Sequence, residues 1–198
     1  SQVYQDDSQL KMVWGENYDE HYEKIRTAVS ETKGEILTYQ GEVITAAFFS
    51  SCNGYTNNAG DYWQNDTPYL RSVESPWDQK ITTVDQEVTF TTMQLAQALG
   101  FSDPIQLISP PQRYDNGYVK SVTIDGVAFS GRELREALGL RSSAFDIWMD
   151  QDQVKITTHG FGHGIGMSQY GAQGMAKEGK SYREILMHYY SGVEIALL

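Results

Sequence analysis

His159 and His163 stand four residues apart in the run His159-Gly160-Phe161-Gly162-His163-Gly164-Ile165-Gly166-Met167-Ser168-Gln169-Tyr170. Two imidazoles with a hydroxyl, an amide and a phenol close behind can bond a polyhydroxylated ligand or move a proton. On a helix both rings would share a face, as in zinc-binding H-E-x-x-H. Here Gly160 takes the place of the general-base glutamate. Gly160, Gly162 and Gly164 would also each weaken a helix by nearly ~1 kcal/mol relative to alanine. The spacing therefore predicts a loop. The glycines do not fit G-x-G-x-x-G either, since its third glycine would fall on Ile165, Met167 or Gln169. Such a loop lets backbone approach a ligand closely. His159, His163, Ser168, Gln169 and Tyr170 are the candidate binding residues, with the His163 ring expected to face a ligand rather than a core. A single histidine is more often structural, but glycines that pack nothing are costly unless the backbone must go somewhere special. Gly171, Ala172, Gly174 and Ala176 read as small residues that let a helix pack tightly.

The elements that must position this segment follow from periodicity. Tyr22, Ile25, Ala28, Val29 and Thr32 share one helical face, and Gly34 ends that helix. Glu35 to Tyr39 and Val43 to Ser50 predict a hairpin turning at Gln40-Gly41. Asn53 to Trp77 is rich in Gly, Asn, Asp, Pro and aromatics, as in a long shaped loop. The stretch Val88 to Gly100 aligns without gaps on Val127 to Gly139, 39 residues later. Each copy reads as strand, capping box (Thr91 with Gln94, Ser130 with Glu133) and short helix closed by glycine. Chance likeness between two amphipathic helices is the competing account of the repeat. Tyr118 to Ile124 turns back at Asp125-Gly126, a pair that tolerates positive φ. Phe145 to Met149 and Gln153 to Thr157 predict two more strands, and Ser181 with Glu184 caps a last helix before Gly192. The pattern predicts an α+β fold of mixed, mainly antiparallel strands and hairpins with short capped helices.

Bulk properties narrow the partners. In 198 residues, 40% hydrophobic and 12% aromatic, a single folded unit is the expectation. A net charge of −11 would repel nucleic acid, which binds through Lys and Arg. Cys52 is the only cysteine, so no intrachain disulfide forms. The start at Ser1 rather than Met leads to the expectation that the chain is part of a longer one.

The run from His159 to Gly192, with Lys180-Ser181-Tyr182-Arg183-Glu184 and Tyr189-Tyr190-Ser191-Gly192-Val193-Glu194-Ile195, resembles the closing signature of the stage II sporulation protein D family. Glu35 to Tyr39 running into Phe49 to Thr56, Pro68 to Val73 with Pro76-Trp77-Asp78, and Phe129 to Leu140 are similar to the same family. The resemblance implies one domain over 1–198, a lytic transglycosylase of endospore formers that cleaves peptide-stripped glycan to 1,6-anhydro ends during engulfment. It further implies peptidoglycan strands, an amidase or endopeptidase and a membrane protein of the engulfment complex as partners, and an extracytoplasmic, membrane-anchored location. The family's catalytic glutamate lies in an Ala-Glu-Met-Pro-like segment with no counterpart here, so it is expected upstream of Ser1 and this fragment is expected to be inactive. Some relatives bind zinc through His and Cys near Cys52; Phe49 and Tyr55 stand where those have His, so neither metal nor cofactor is expected. The groove candidates are the five residues above, with Tyr62 and Trp63 stacking on sugar faces and core packing as their competing role. Asp61 and Asp66 read as turn-forming carboxylates. A glycan-binding module without catalysis and a His-based metal hydrolase stand as the rival functions.

Overall fold

A computed structural model describes residues 4–63, 65–80 and 85–198. The chain divides into two compact units, Ser1–Leu37 with Ile195–Leu198, and Thr38–Glu194. In the first, α1 (Asp7–Trp14) starts on a capping box formed by Asp6 and Gln9. Helix α2 (Tyr18–Glu31) follows where the apolar spacing places it, and Gly34 takes φ +80° beyond its end. Its stripe of Tyr22, Ile25 and Val29 is exposed.

Strand β1 (Glu35–Tyr39) turns through Gln40 and Gly41, at φ 52° and 84°, into β2 (Glu42–Val43), with Thr38 opposite Val43. The second arm of that hairpin is shorter than the expected run to Ser50. Pairing resumes only at β3 (Phe48–Phe49), which lies parallel to a strand from the glycine segment instead. The long loop contains α3 (Ala59–Trp63). Beyond it come β4 (Gln86–Thr91) with α4 (Thr92–Leu99), then β5 (Gln112–Arg113), β6 (Val119–Ile124), and β7 (Val127–Phe129) with α5 (Gly131–Leu138). The chain closes with β8 (Phe145–Asp150), β9 (Gln153–Thr158), β10 (Met167–Ser168), α6 (Gln169–Lys177), α7 (Tyr182–Tyr189) and β11 (Glu194–Leu197). Two antiparallel sheets run β4-β9-β8 and β5-β6-β7, β10 pairs β3, and β1 sits between β11 and β2. The architecture is α+β, as predicted.

Both aligned stretches form a strand, a capping box and a short helix closed by glycine. Thr91 with Gln94 and Ser130 with Glu133 each make both bonds of a capping box, and Gly100 and Gly139 stop the helices at φ 82° and 63°. Leu95 and Leu134, at matching positions of the copies, are fully buried in one core with Ile124, Phe145, Val154 and Ile156. The Asp125-Gly126 hairpin forms with Ile124 opposite Val127.

Candidate functional site

Every second residue of the histidine segment is glycine because one side of it lies against neighbouring backbone and side chains. Gly160, Gly162, Gly164 and Gly166 all take positive φ, from 80° to 123°. A Cβ on them would run into Ser51 and Cys52, Phe49, the Tyr118 ring, and the Ala47 carbonyl respectively. Hydrogen bonds tie the segment down along its length. Phe161 and Ser51 bond each other, the Asn57 N–H donates to the Gly164 carbonyl at 2.6 Å, and the Met167 N–H to the Ala47 carbonyl at 3.1 Å. On its other side the Gly162 N–H donates to the Arg141 carbonyl at 2.9 Å. The segment is a loop stretched along residues 47–57, as predicted, and its odd positions carry the side chains.

Those side chains have different surroundings. The His159 ring bridges two carboxylates, with Nδ1 3.0 Å from Asp85 and Nε2 3.0 Å from Asp146, and Asp146 is also held by Arg113. Burial pushes the His159 pKa down, but the bonds to Asp146 and Asp85 outweigh it and the net shift is upward. His163 is half-buried with ring centroids of Trp63, Phe49 and Tyr62 at 5.4, 5.8 and 6.5 Å, and its Nδ1 accepts the Ile165 N–H at 3.0 Å. Burial lowers its pKa, the Arg135 charge adds to that, and a backbone hydrogen bond with Phe48 opposes without reversing it. Both rings thus have structural partners as well as any ligand, which the glycine pattern alone could not show.

The two histidines should therefore shape stability with opposite signs. A raised folded pKa means the His159 contribution is complete below about pH 6.5, the unfolded value, and fades as pH climbs through the folded pKa. A lowered folded pKa means the His163 contribution is complete above about pH 6.5 and is lost as pH falls, because a protonated Nδ1 cannot accept from Ile165. Melting curves at about pH 5 and about pH 8 should show His159→Gln weaker mainly at the acid end and His163→Gln mainly at the alkaline end. The His159 effect stays under about 1 kcal/mol, since Asp85 and Asp146 are 61% and 55% exposed. Deficits largest at the same pH for both variants would contradict these environments.

The other candidates separate. Ser168 is fully buried: it caps α6 by accepting the Gly171 N–H, and its hydroxyl donates to Asp78 at 2.8 Å. It faces the interior, where no ligand reaches it. Tyr62 is buried too, its ring beneath the Arg132 guanidinium at 5.2 Å and its hydroxyl accepting from Arg135 at 2.7 Å. Trp63 stays half-buried beside His163. Gln169 and Tyr170 are exposed, and Tyr170 lines a recess with Trp77, Lys80, Lys177 and Glu178. Asp61 and Asp66 fix loop structure, accepting from Asn58 and from the Arg71 fork. Among the described residues no group of three or more His, Cys, Asp or Glu is placed to hold a metal ion.

Two groups of residues went unnoticed as singles. Arg132 and Arg135 hold Tyr62, the Arg135 charge acts on His163, and Arg141 has its guanidinium 5.3 Å from the centroid of Phe161. Beneath the loop the buried Asp78 carboxylate accepts from Ser75 (2.5 Å), Ser168 (2.8 Å), the Cys52 N–H (3.2 Å) and the Cys52 thiol (3.3 Å), and Ser75 meets the Tyr189 hydroxyl at 2.7 Å. Burial, then the Asp78 charge, push the Cys52 thiol pKa up, so Cys52 is an inert structural thiol. Gly171 and Gly174 are small because Tyr189, Ser75 and Asp78 press on the first and the Trp77 ring on the second.

The fold and loop define a class of α+β proteins built around a histidine–glycine segment laid on a neighbouring stretch of chain. No family model matches the sequence. Along nearly its whole length, however, the chain is similar to stage II sporulation protein D. It is 46% identical over 98% of its residues to that protein of Bacillus amyloliquefaciens and 44% identical over 98% to that of Bacillus subtilis (strain 168). The amidase enhancer of Bacillus subtilis (strain 168) is 29% identical over 85% of the chain, which covers 32% of that relative. The chain spans 57% of the length of the two sporulation proteins.

Proposed function

We propose that this chain is the glycan-binding part of a sporulation cell-wall protein that, in its complete form, is a lytic transglycosylase acting on peptide-stripped peptidoglycan during engulfment. The match to stage II sporulation protein D over 98% of the chain carries the proposal. The amidase enhancer's name fits a partnership with an amidase. No helix among the described residues is long and apolar enough to cross a membrane; an extracytoplasmic place at the septum, with an anchor elsewhere, belongs to the same proposal.

Chemically, one carboxylic acid protonates the oxygen leaving the β-1,4 bond, and the muramic 6-hydroxyl attacks the anomeric carbon. The 6-hydroxyl proton passes to the resulting carboxylate, leaving a 1,6-anhydro end and a new free 4-hydroxyl. A donor for this step needs a raised pKa. Glu133 and Glu184 are held the other way, since Ser130 and Ser181 of their capping boxes pull them below the usual carboxylate range, Glu184 to about 2. We assign the acid to a glutamate outside these residues because none of the glutamates here stands in an Ala-Glu-Met-Pro-like segment, and the chain supplies the groove with His163, Trp63 and Phe161.

The test compares this chain with a version extended upstream to the length of the longer relatives, on peptide-stripped glycan, with products read by mass spectrometry. The extended protein should form 1,6-anhydromuramic ends, at least ~10²-fold faster than the chain alone. Comparable rates would place the acid within the present sequence, and hydrolysed reducing ends would replace transglycosylation with hydrolysis.

A further inference from the structure

We propose that Arg135 and Arg141 bind the free lactyl carboxylates of peptide-stripped glycan, so that the site recognises the group that stripping exposes on the sugar. The inference rests on the glycan reading above. It starts from an imbalance. The chain has 26 acidic and 15 basic residues. Arg26, Arg71, Arg113 and Arg132 each grip a carboxylate. Yet among the described residues no carboxylate lies within ion-pair distance of Arg135 or Arg141. Unneutralised guanidinium groups in a strongly acidic protein suit an anionic ligand that the rest of the surface repels.

Both arginines are held in place at the histidine loop. Arg135 donates from Nη1 to the Tyr62 hydroxyl (2.7 Å) and from Nε to the Arg141 carbonyl (3.3 Å), and its charge is felt by His163. Arg141 receives the Gly162 N–H on its carbonyl and lies over the half-exposed Phe161 ring. Fixing the side chains in advance lowers the entropy lost when they bind. Phe161 and Trp63 add aromatic faces on which sugar rings can stack beside the charges.

The ligand class follows from what stripping does to the polymer. In intact wall the muramic lactyl group is an amide, neutral and unable to form an ion pair with a guanidinium. Hydrolysis of that amide adds water across the bond, releasing the peptide amine and leaving one carboxylate per disaccharide. The planar guanidinium fork matches a carboxylate and not an amide. The enzyme class that must act first is therefore an amidase, and the carboxylate it exposes is the feature that marks the strand as ready.

The experiment is calorimetric titration of the chain with three tetrasaccharides: stripped glycan, the same glycan with its lactyl carboxylates methyl-esterified, and chitotetraose, which lacks the lactyl group. Stripped glycan should bind about fivefold more tightly than the other two at low salt, the upper end for a partly exposed ion pair, and salt should erase the advantage. Arg141→Gln should abolish the preference for stripped glycan over its ester. Equal binding of all three ligands would overturn the inference and leave the glycan reading standing, whereas no binding of any would overturn both. Because the ligand comparison uses the unaltered protein, a poorly folded Arg141→Gln does not prevent a decision.

Discussion

Asp78→Ala is expected to destabilise the protein by about 3–5 kcal/mol. The carboxylate is fully buried and accepts from the Ser75 and Ser168 hydroxyls and from the N–H and thiol of Cys52. Its removal strands hydrogen-bond donors in a place water does not reach, and each orphaned donor costs about 1–3 kcal/mol. Asp78→Asn should help little, because the amide nitrogen would point a donor at donors. Ser168→Ala removes one bond and one cap, and should cost about 1 kcal/mol. Urea denaturation of the three variants measures this ordering. A loss under 1 kcal/mol for Asp78→Ala would mean that the network is not what fixes the loop to its support.

Gly166→Ala comes second in size, with an expected loss of about 3–4 kcal/mol built from left-handed strain and a collision. Gly166 has φ +80°, and its Cβ would strike the Ala47 carbonyl, which accepts both the Met167 N–H and the Tyr190 hydroxyl. Gly126 provides the control, since it has φ +84° with nothing within 4 Å of its Cβ position. Gly126→Ala should lose only about 1 kcal/mol, the cost of the backbone conformation by itself. Thermal denaturation of both variants isolates the collision as their difference. Equal losses would show that the loop slides away from Ala47 freely.

What the sequence disclosed depended on range. Capping boxes at Thr91, Ser130 and Ser181 were readable because a side chain three residues from its own helix start acts on local backbone. The Gln40-Gly41 and Asp125-Gly126 turns were readable for the same reason. The glycine run announced a loop, but not that Ala47, Phe49, Cys52 and Tyr118 are what the glycines make room for. That information resides in distant residues. Ser168 reads by type as a ligand donor and Tyr62 as a stacking or core ring, and tertiary packing turns both inward, one onto Asp78 and the other under Arg132. Asp78 was visible only inside the motif Pro76-Trp77-Asp78, with nothing in its local pattern to say that four donors from three parts of the chain converge on it. The relation of His159 to Asp85 and Asp146 was equally hidden, since it depends on how β4, β9 and β8 register.

Glycine density is usually equated with slack, and here the opposite holds. Each glycine of the histidine loop lies against a specific neighbour, and amides along it are already bonded. A segment so constrained has few conformations left to surrender when a sugar docks. Its affinity can then be spent on discriminating between ligands instead of on ordering the receptor, which suits a surface that must recognise a small chemical mark repeated along an otherwise monotonous polymer.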